Sequence, residues 1–223
     1  RVHVLNPKDW AHAAGTDFWL VCGSADMVAT GSDDLAAFGW AATGFTFLGG
    51  IEADLLSTSD IGIMGGFNFD TASDLLDSPS VFGDYIHGQM VKSITGIAPT
   101  TLNMECYARF AANNDETASG FGFIQDGGSP VIEADALAFI HTNGTNFKIR
   151  SSGVTDSGAI DDTNVHLWKI TMTAGGSVEW FIDGTTQGTL TLLNDQFPCS
   201  FGMGTVSGGN NDPVVNWVHI WYA

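Results

Sequence analysis

Three strands joined by two tight turns occupy residues 165–193, and this stretch constrains the fold more than any other part of the chain. In the first strand every second residue is large and apolar, the period of two of a strand with one face on a core and the other in water. Gly175-Gly176 then turns the chain, and Asp183-Gly184 tolerates the positive φ angles of a two-residue hairpin turn. The stretch therefore predicts an antiparallel meander whose first strand buries Trp168, Ile170 and Met172.

Turn signals recur at near-regular spacing through the second half of the chain. Short strands at intervals of roughly 8 to 12 residues are typical of a β-sandwich or jelly roll. A hydrophobic content of 44%, with 28 Gly and 15 Phe, supplies the apolar residues and turns that such a fold needs. The sequence therefore predicts an all-β fold, an antiparallel β-sandwich or jelly roll. The turn signals are Asn113-Asn114, Asp126-Gly127-Gly128, Asn143-Gly144, Gly175-Gly176, Asp183-Gly184 and Gly208-Gly209.

The order of a Trp strand, a Gly turn, an aromatic strand ending in Asp-Gly and a polar strand over residues 165–193 resembles the hairpin of concanavalin A-like sandwiches. That family includes legume lectins, laminin-G-like modules, family 16 glucanases and many tailed-bacteriophage virion proteins, and the chain is most similar in character to the last of these. The resemblance covers residues 100–223. It implies a concanavalin A-like sandwich in which VVNWVHIWY, residues 214–222, lies in a sheet beside early strands.

No linker, repeat array or low-complexity block divides the chain, which favours a single β-sandwich domain over residues 17–223. Residues 1–16 are predicted to form an N-terminal arm or edge segment. Residues 61–69 favour a buried strand interrupted by glycines, and residues 71–82 favour one helical turn after an Asp or Ser cap.

The chain carries 25 acidic and 7 basic residues, a formal net charge of −18. A field of this sign repels phosphate backbones and anionic headgroups, so we expect neither nucleic acid nor a membrane as partner. No apolar run approaches the roughly 18 residues needed to cross a bilayer. The first residues also lack the apolar centre of a signal peptide.

Three widely spaced cysteines, Cys22, Cys106 and Cys199, form neither a disulfide framework nor a zinc motif. We expect reduced and mostly buried thiols. A bridge between two subunits is the alternative.

Glycan hydrolysis is the enzymatic activity that the resemblance suggests. It requires a pair of carboxylates across the scissile bond. Family 16 enzymes place them on one strand as Glu-x-Asp-x-Glu. Glu52-Ala53-Asp54 and Glu133-Ala134-Asp135 begin this pattern, but neither completes it. A nucleophile elbow, a P-loop and an HExxH motif are also missing from the sequence. We predict no catalytic residues, and a hydrolase that lacks the usual motif is the third functional hypothesis.

The six histidines are scattered, and His166 and His219 are predicted to be partly buried or cross-strand residues rather than metal ligands. Asp-rich loops at Asp33-Asp34, Asp70 to Asp77 and Asp161-Asp162 are where calcium would bind, as it does in several sandwiches of the resembled family. None of the loops has the spacing of a defined oxygen-ligand loop. We expect no cofactor and no metal, with calcium as the alternative.

The amino-terminal segment contains a candidate partner-docking arm, with Arg1, His3, Lys8 and Trp10 as its residues. Cationic side chains are rare in this chain, and an arm that carries two of them suits an acidic neighbour. A frayed terminus is the alternative interpretation.

A lectin-like site needs an aromatic platform, for which Trp217 and Trp221 are the candidates, with Trp40 and Trp180 as further tryptophans. Trp217 and Trp221 share one face of the last strand with His219. That pattern also fits a core or a subunit face, and packing is the favoured interpretation.

The favoured hypothesis is a non-enzymatic virion structural protein of a tailed bacteriophage, such as a capsid decoration or cement protein or a head or tail appendage. Such a protein would be made in the host cytoplasm, form a homo-oligomer and bind neighbouring capsid subunits at the virion surface. The alternative is a carbohydrate-binding, lectin-like module for adsorption to glycans.

Overall fold

The computed structural model of the 223-residue chain describes residues 17–21, 41–43, 46–48, 66–68, 75–77, 101–110, 115–125, 133–151, 154–173, 176–191, 199–204 and 213–222. Nearly all of these residues lie in strands of two antiparallel sheets that pack face to face. The predicted antiparallel β-sandwich is thereby confirmed.

Eight of the described strands form the larger sheet. In spatial order they are β13 (Thr185–Thr191), β12 (Ser177–Ile182), β11 (His166–Thr173), β6 (Thr101–Phe110), β15 (Pro213–Tyr222), β4 (Gly66–Asn68) and β3 (Thr46–Leu48), while β1 (Asp17–Val21) also pairs with β15. The predicted place of residues 214–222 beside early strands is confirmed, since β15 pairs with both β1 and β4.

The other seven described strands form the smaller sheet. In spatial order they are β10 (Val154–Ile160), β9 (Asn146–Ser151), β8 (Ala136–Asn143), β7 (Asp115–Gln125), β14 (Cys199–Gly204), β5 (Leu75–Asp77) and β2 (Ala41–Thr43). A short 3-10 helix, Glu133–Asp135, precedes β8. None of the helices in these described segments is long and apolar enough to cross a membrane.

The helical turn predicted within residues 71–82 is wrong for the three residues of that range that the structure describes. Leu75–Asp77 is a strand, and the rest of the range lies outside the described residues. Pairing on both sides, with β14 and with β2, satisfies its backbone groups and outweighs the local preference for a helix cap.

The predicted hairpin turns are confirmed where the structure describes them. Asp183 and Gly184 join β12 to β13 with φ angles of 50° and 78°, the positive pair that a primed two-residue turn requires. Gly144, with a φ of 75°, turns the chain between β8 and β9. The side-chain Oδ1 of Asn143 accepts the backbone N–H of Asn146 across that turn, at 2.8 Å.

The core lies between the sheets and is centred on Trp168. Its ring packs edge-to-face against Phe147, Phe121 and Phe110, at centroid distances of 4.8, 5.7 and 6.0 Å. The indole N–H donates to the carbonyl of Ala108 at 2.9 Å, so burial leaves no unsatisfied donor. The predicted inward positions Trp168, Ile170 and Met172 are all buried.

The cysteine prediction is confirmed for the two cysteines whose side chains are described. Cys106 and Cys199 are buried and are not joined in a disulfide bond, and burial raises the pKa of the Cys106 thiol well above its ordinary value. Cys22 lies outside the described residues.

One side of the sandwich is closed by contact between the edge strands β10 and β13. The indole N–H of buried Trp180 donates to Oδ2 of Asp156 at 3.1 Å, and the backbone N–H of Ala159 donates to Oε1 of Gln187 at 2.7 Å. Gly158 makes the approach possible, because a Cβ there would lie 2.5 Å from Cη2 of Trp180. The closure thus occupies two strand edges that would otherwise be open to pairing.

His166 links the start of β11 to the loop before it and to the β12–β13 turn. Its Nδ1 lies 2.7 Å from Oδ2 of Asp183, and its Nε2 lies 3.0 Å from Oδ1 of Asp162. Burial by itself would lower the pKa of His166, but the hydrogen bonds to Asp183 and Asp162 raise it above the ordinary value of 6.5. The imidazolium therefore donates both of its N–H groups to carboxylates.

We predict that Gly158→Ala lowers the free energy of unfolding by about 1–3 kcal/mol, because the new methyl group overlaps the fixed Trp180 ring. Chemical denaturation measures the change. Ser157→Ala, an exposed change at the preceding position of the same strand, is the control and should stay within about 0.5 kcal/mol of the wild type. Equal stability of the two variants would contradict the tight closure.

We predict that His166→Gln costs about 0.5–1 kcal/mol below pH 6.5, a modest value because both carboxylates are roughly half exposed. The pKa of His166 is raised on folding, so its contribution is complete below 6.5 and is lost as the pH rises through the raised value. Denaturation of both proteins across this interval measures the difference. A difference that does not change with pH would rule out the doubly bonded imidazolium.

Candidate functional site

A β-bulge at Asn216 decides which side chains of the last strand face outward. Val215 pairs with Ala108 and Trp217 pairs with Tyr107, so Asn216 is one extra residue in β15. A regular strand would place Trp217 on the same side as Val215, which is in the core. The extra residue reverses this alternation and turns Trp217, His219 and Trp221 to the outer face of the larger sheet.

The outer aromatic face is the set of partly exposed side chains that results on the larger sheet. It combines four aromatic residues and a histidine with one basic and two acidic residues. The strands β12, β11, β6 and β15 lie side by side here, so residues far apart in the chain become neighbours. The members are Glu105, Tyr107, Lys169, Glu179, Phe181, Trp217, His219 and Trp221.

The rings of this face are stacked in pairs. Tyr107 and Trp217 lie opposite each other on neighbouring strands, with centroids 6.4 Å apart and an interplanar angle of 16°. His219 and Trp221 stack along β15 at 4.4 Å and 21°. Stacking limits the rotamers of these side chains, so the face is organised before any ligand arrives.

Lys169 lies at the centre of the face, between two of the rings. Its Nζ is 5.6 Å from the centroid of Phe181 and 5.7 Å from that of Trp221, distances at which the ring quadrupoles attract a cation. In the sheet register Lys169 is opposite Glu105, which in turn is opposite His219. One cation and one carboxylate are thus placed among aromatic rings.

A hydrogen-bonded polar row borders the rings. Oγ1 of Thr171 donates to Oδ1 of Asn103 at 2.9 Å, and Nδ2 of Asn103 donates to Oγ1 of Thr101 at 3.1 Å. Asn103 is opposite Trp221 in the register. The row places hydrogen-bonded hydroxyl groups beside an aromatic ring, with Asn103 itself buried between the two threonines.

The two platform residues predicted from the sequence, Trp217 and Trp221, are both part of this face. The packing interpretation that the sequence favoured covered a core face or a subunit face, and the core face is wrong for them, because the bulge turns both outward. A subunit face and a sugar platform stay as alternatives. Trp180, the third candidate, is buried in the core, and Trp40 lies outside the described residues.

The residues of the predicted docking arm lie outside the described part of the chain, namely Arg1, His3, Lys8 and Trp10. The incomplete acidic motif at Glu52 and Asp54 also lies outside it. In the second motif, Asp135 accepts a hydrogen bond from Nε2 of Gln125, so it is tied to a neighbouring strand.

A second group of ionisable residues lies on the outer face of the smaller sheet and is buried. The guanidinium of Arg150 stacks on Phe139, 4.7 Å from the ring centroid, and both side chains are fully buried. Burial, and next the charge of Arg150, lower the pKa of His141 to about 4, so this histidine is neutral. Its Nδ1 lies 3.2 Å from the carbonyl of Thr142 and is therefore the protonated nitrogen. Although they are on the outer side of the smaller sheet, these side chains are buried, so they do not form a site that a ligand can reach.

The predicted Asp161-Asp162 loop is held by side-chain hydrogen bonds. Thr142 donates its hydroxyl to Oδ2 of Asp161, and burial together with the charge of Asp162 raises the pKa of Asp161 to about 6. Asp162 caps the backbone N–H of Asn164 at 2.7 Å and contacts His166. Within the described residues, no group of three or more His, Cys, Asp or Glu side chains is arranged to hold a metal ion.

Sequence reasoning missed Tyr107, Lys169 and Phe181 as members of the site. The signal that could have found them is parity: in the meander, Lys169 and Phe181 fall on the positions opposite to the buried ones. Their closeness to Trp221 depends on β6 lying between β11 and β15, which local sequence does not specify.

No protein-family model matches the chain, and no curated protein does. Among solved structures, the chain is similar to the conserved carbohydrate esterase from Shiga toxin-encoding bacteriophage phi24B, with a TM-score of 0.54 and 13% identity over 87% of this chain and 95% of that one. At this identity the similarity bears on the fold alone, and it agrees with the β-sandwich.

Two further similarities are weaker. An alginate lyase from Corynebacterium sp. has a TM-score of 0.40 and 14% identity, over 56% of this chain and 59% of that one. The ligand-binding domain of botulinum neurotoxin serotype D, solved with N-acetylneuraminic acid, has a TM-score of 0.46 and 8% identity, over 73% of this chain and 40% of that one. Taken together, the geometry and the first similarity describe a β-sandwich with an organised aromatic surface on its larger sheet.

Proposed function

We propose that the protein is a non-catalytic glycan-binding protein and that the outer aromatic face is its binding surface. The observation that supports this most is the combination, on one rigid sheet, of partly exposed Trp217, Trp221 and Tyr107 with Glu105 and Lys169. Sugar rings have an apolar C–H side that packs on aromatic faces and hydroxyls that bind charged and amide groups. The face offers both kinds of partner.

The charged residues at the centre favour a glycan over a protein as the partner. The middle of a protein–protein interface is typically depleted in Lys and Glu, because both must lose their hydration there. Here Lys169 and Glu105 lie among the rings, on adjacent strands. Sugar hydroxyls replace the lost water by donating to a carboxylate and accepting from an ammonium group.

The extent of the face favours an oligosaccharide over a single sugar. Phe181 lies on β12 and Trp221 on β15, and β11 and β6 separate these two strands. Three interstrand steps of about 4.8 Å give a width of roughly 14 Å. A short oligosaccharide covers that distance and contacts several rings at once.

We predict that Trp221→Ala weakens glycan binding by about tenfold, or about 1.4 kcal/mol, because it removes a stacking surface and frees His219 and Lys169. A glycan array identifies ligands, and titration calorimetry with the best of them measures the change. Trp217→Ala should act in the same direction, since it removes the partner of Tyr107.

Ile160→Ala is the matched control, because Ile160 is 78% exposed but lies on β10 of the other sheet. Its affinity should equal that of the wild type. A protein that binds no glycan on the array, or one whose binding is unchanged by both Trp variants, would overturn the proposal.

The second candidate function is the virion structural role, as a capsid decoration or cement protein or a head or tail appendage at the capsid surface. The richness of the face in Trp and Tyr favours it, since these residues dominate the energetic centres of protein interfaces. The similarity in fold to a phage-encoded protein is compatible with this role. A homo-oligomer or a capsid subunit would then cover Trp217 and Trp221.

We predict for this second candidate that the protein co-sediments with phage particles and that Trp217→Ala and Trp221→Ala release it. Sedimentation of particles made with each variant measures the bound fraction. Free protein of monomer size, with no particle-bound fraction in the wild type, would exclude the structural role and leave the glycan-binding proposal intact.

A further inference from the structure

We infer that the ligand of the outer aromatic face is a neutral oligosaccharide rather than one that carries carboxylate, sulfate or phosphate groups. This inference rests on the proposed glycan-binding function and specifies the chemical class of the ligand. It follows from where the few cations of the chain are placed.

Cationic side chains are scarce, and the described ones are mostly committed elsewhere. The chain has 7 Lys and Arg against 25 Asp and Glu. Lys148 and Arg150 lie on the outer side of the smaller sheet, and Arg150 is fully buried against Phe139. Arg109 is 9% exposed. Within the described part of the larger sheet, Lys169 is therefore the one Lys or Arg residue with a partly exposed side chain.

Lys169 is a poor receptor for an anion in its position. Its ammonium group is held between the rings of Phe181 and Trp221, and Glu105 lies opposite it on β6. Glu179, also partly exposed, lies on the neighbouring strand β12 on the same face. An anionic sugar would meet two carboxylates for one cation. No bidentate Arg is present on the described face to bind such an anion strongly.

A neutral sugar suits the same groups. Its hydroxyls donate to Glu105 and Glu179, which accept only, and accept from Lys169, which donates only. Thr171 is partly exposed, and because it donates its hydroxyl hydrogen to buried Asn103, its oxygen can accept from a sugar hydroxyl. The charged groups of the face are thus matched by sugar hydroxyls, whereas the anionic group of an acidic sugar is matched by Lys169 alone.

The overall charge of the chain also favours a neutral ligand over an acidic one. A net charge of −18 on a chain of this size repels anions at distances up to the Debye length, about 8–10 Å at physiological salt. Repulsion of an acidic glycan should therefore weaken as salt is added, while binding of a neutral glycan should change little.

Titration calorimetry on the full chain tests the inference with two matched panels. The neutral panel contains gluco-, manno- and galacto-oligosaccharides, and the acidic panel contains oligouronates together with sialylated and sulfated oligosaccharides. We expect the best neutral ligand to bind at least about tenfold more tightly than any acidic one at low salt, with a smaller ratio at high salt.

Glu105→Gln tests the local part of the argument, because it removes one of the two carboxylates and keeps the shape of the side chain. We expect Glu105→Gln to lower the ratio of neutral-ligand to acidic-ligand affinity severalfold. Asp135→Asn removes the same charge from the smaller-sheet side and is the control, which should leave the ratio at its wild-type value.

The outcomes separate the two proposals. Acidic oligosaccharides that bind as tightly as neutral ones, and lose affinity in Trp221→Ala, would overturn the neutral-ligand inference while supporting glycan binding by this face. Absence of binding to both panels would overturn the proposed function and the inference with it. A ratio that changes equally in Glu105→Gln and Asp135→Asn would overturn the local assignment to Glu105.

Discussion

The β-bulge at Asn216 is the constraint on which the proposed binding surface depends. Before it, Val215 faces the core beside Ala108; after it, Trp217, His219 and Trp221 face outward, while Val218 and Ile220 fill the core. A regular strand would bring the polar and aromatic set inside and expose the aliphatic one. Because of one inserted residue, the same strand supplies aliphatic side chains to the core and aromatic side chains to the outer face.

The core gives the outer aromatic face a rigid support. Trp168 and its phenylalanine neighbours fill the space between the sheets, and Trp180 with Asp156 closes the side at β10 and β13. His166 ties the loop before β11 to the turn after β12. These contacts fix the strands that carry Lys169 and Phe181 at the end that contains His166, and an organised surface loses little entropy when it binds a ligand.

The outer aromatic face is separate from the ionisable groups whose pKa is perturbed. The perturbed groups are buried or engaged in structural hydrogen bonds, and none of them is a member of the outer aromatic face; they are Cys106, His141, Asp161, Asp162 and His166. The face itself combines rings, one ammonium group and carboxylates in a register that the sheet fixes. A sandwich can support many functions, so the proposed glycan binding depends on this surface and not on the fold.

The meander, the Asp183-Gly184 and Asn143-Gly144 hairpins and the burial of Trp168, Ile170 and Met172 follow from the sequence, because turn chemistry and a period of two act between near neighbours. The acidity and the scarcity of Lys and Arg, which bear on the class of ligand, are likewise properties of composition. The strand at Leu75–Asp77 and the outward orientation of Trp217 and Trp221 do not follow from the sequence. Both depend on pairing with strands distant in the chain, where a single extra residue in the ladder outweighs the local pattern. The sequence alone therefore determined a charged, strand-rich sandwich with tryptophans near its end, and only the tertiary structure decided that those tryptophans form a surface.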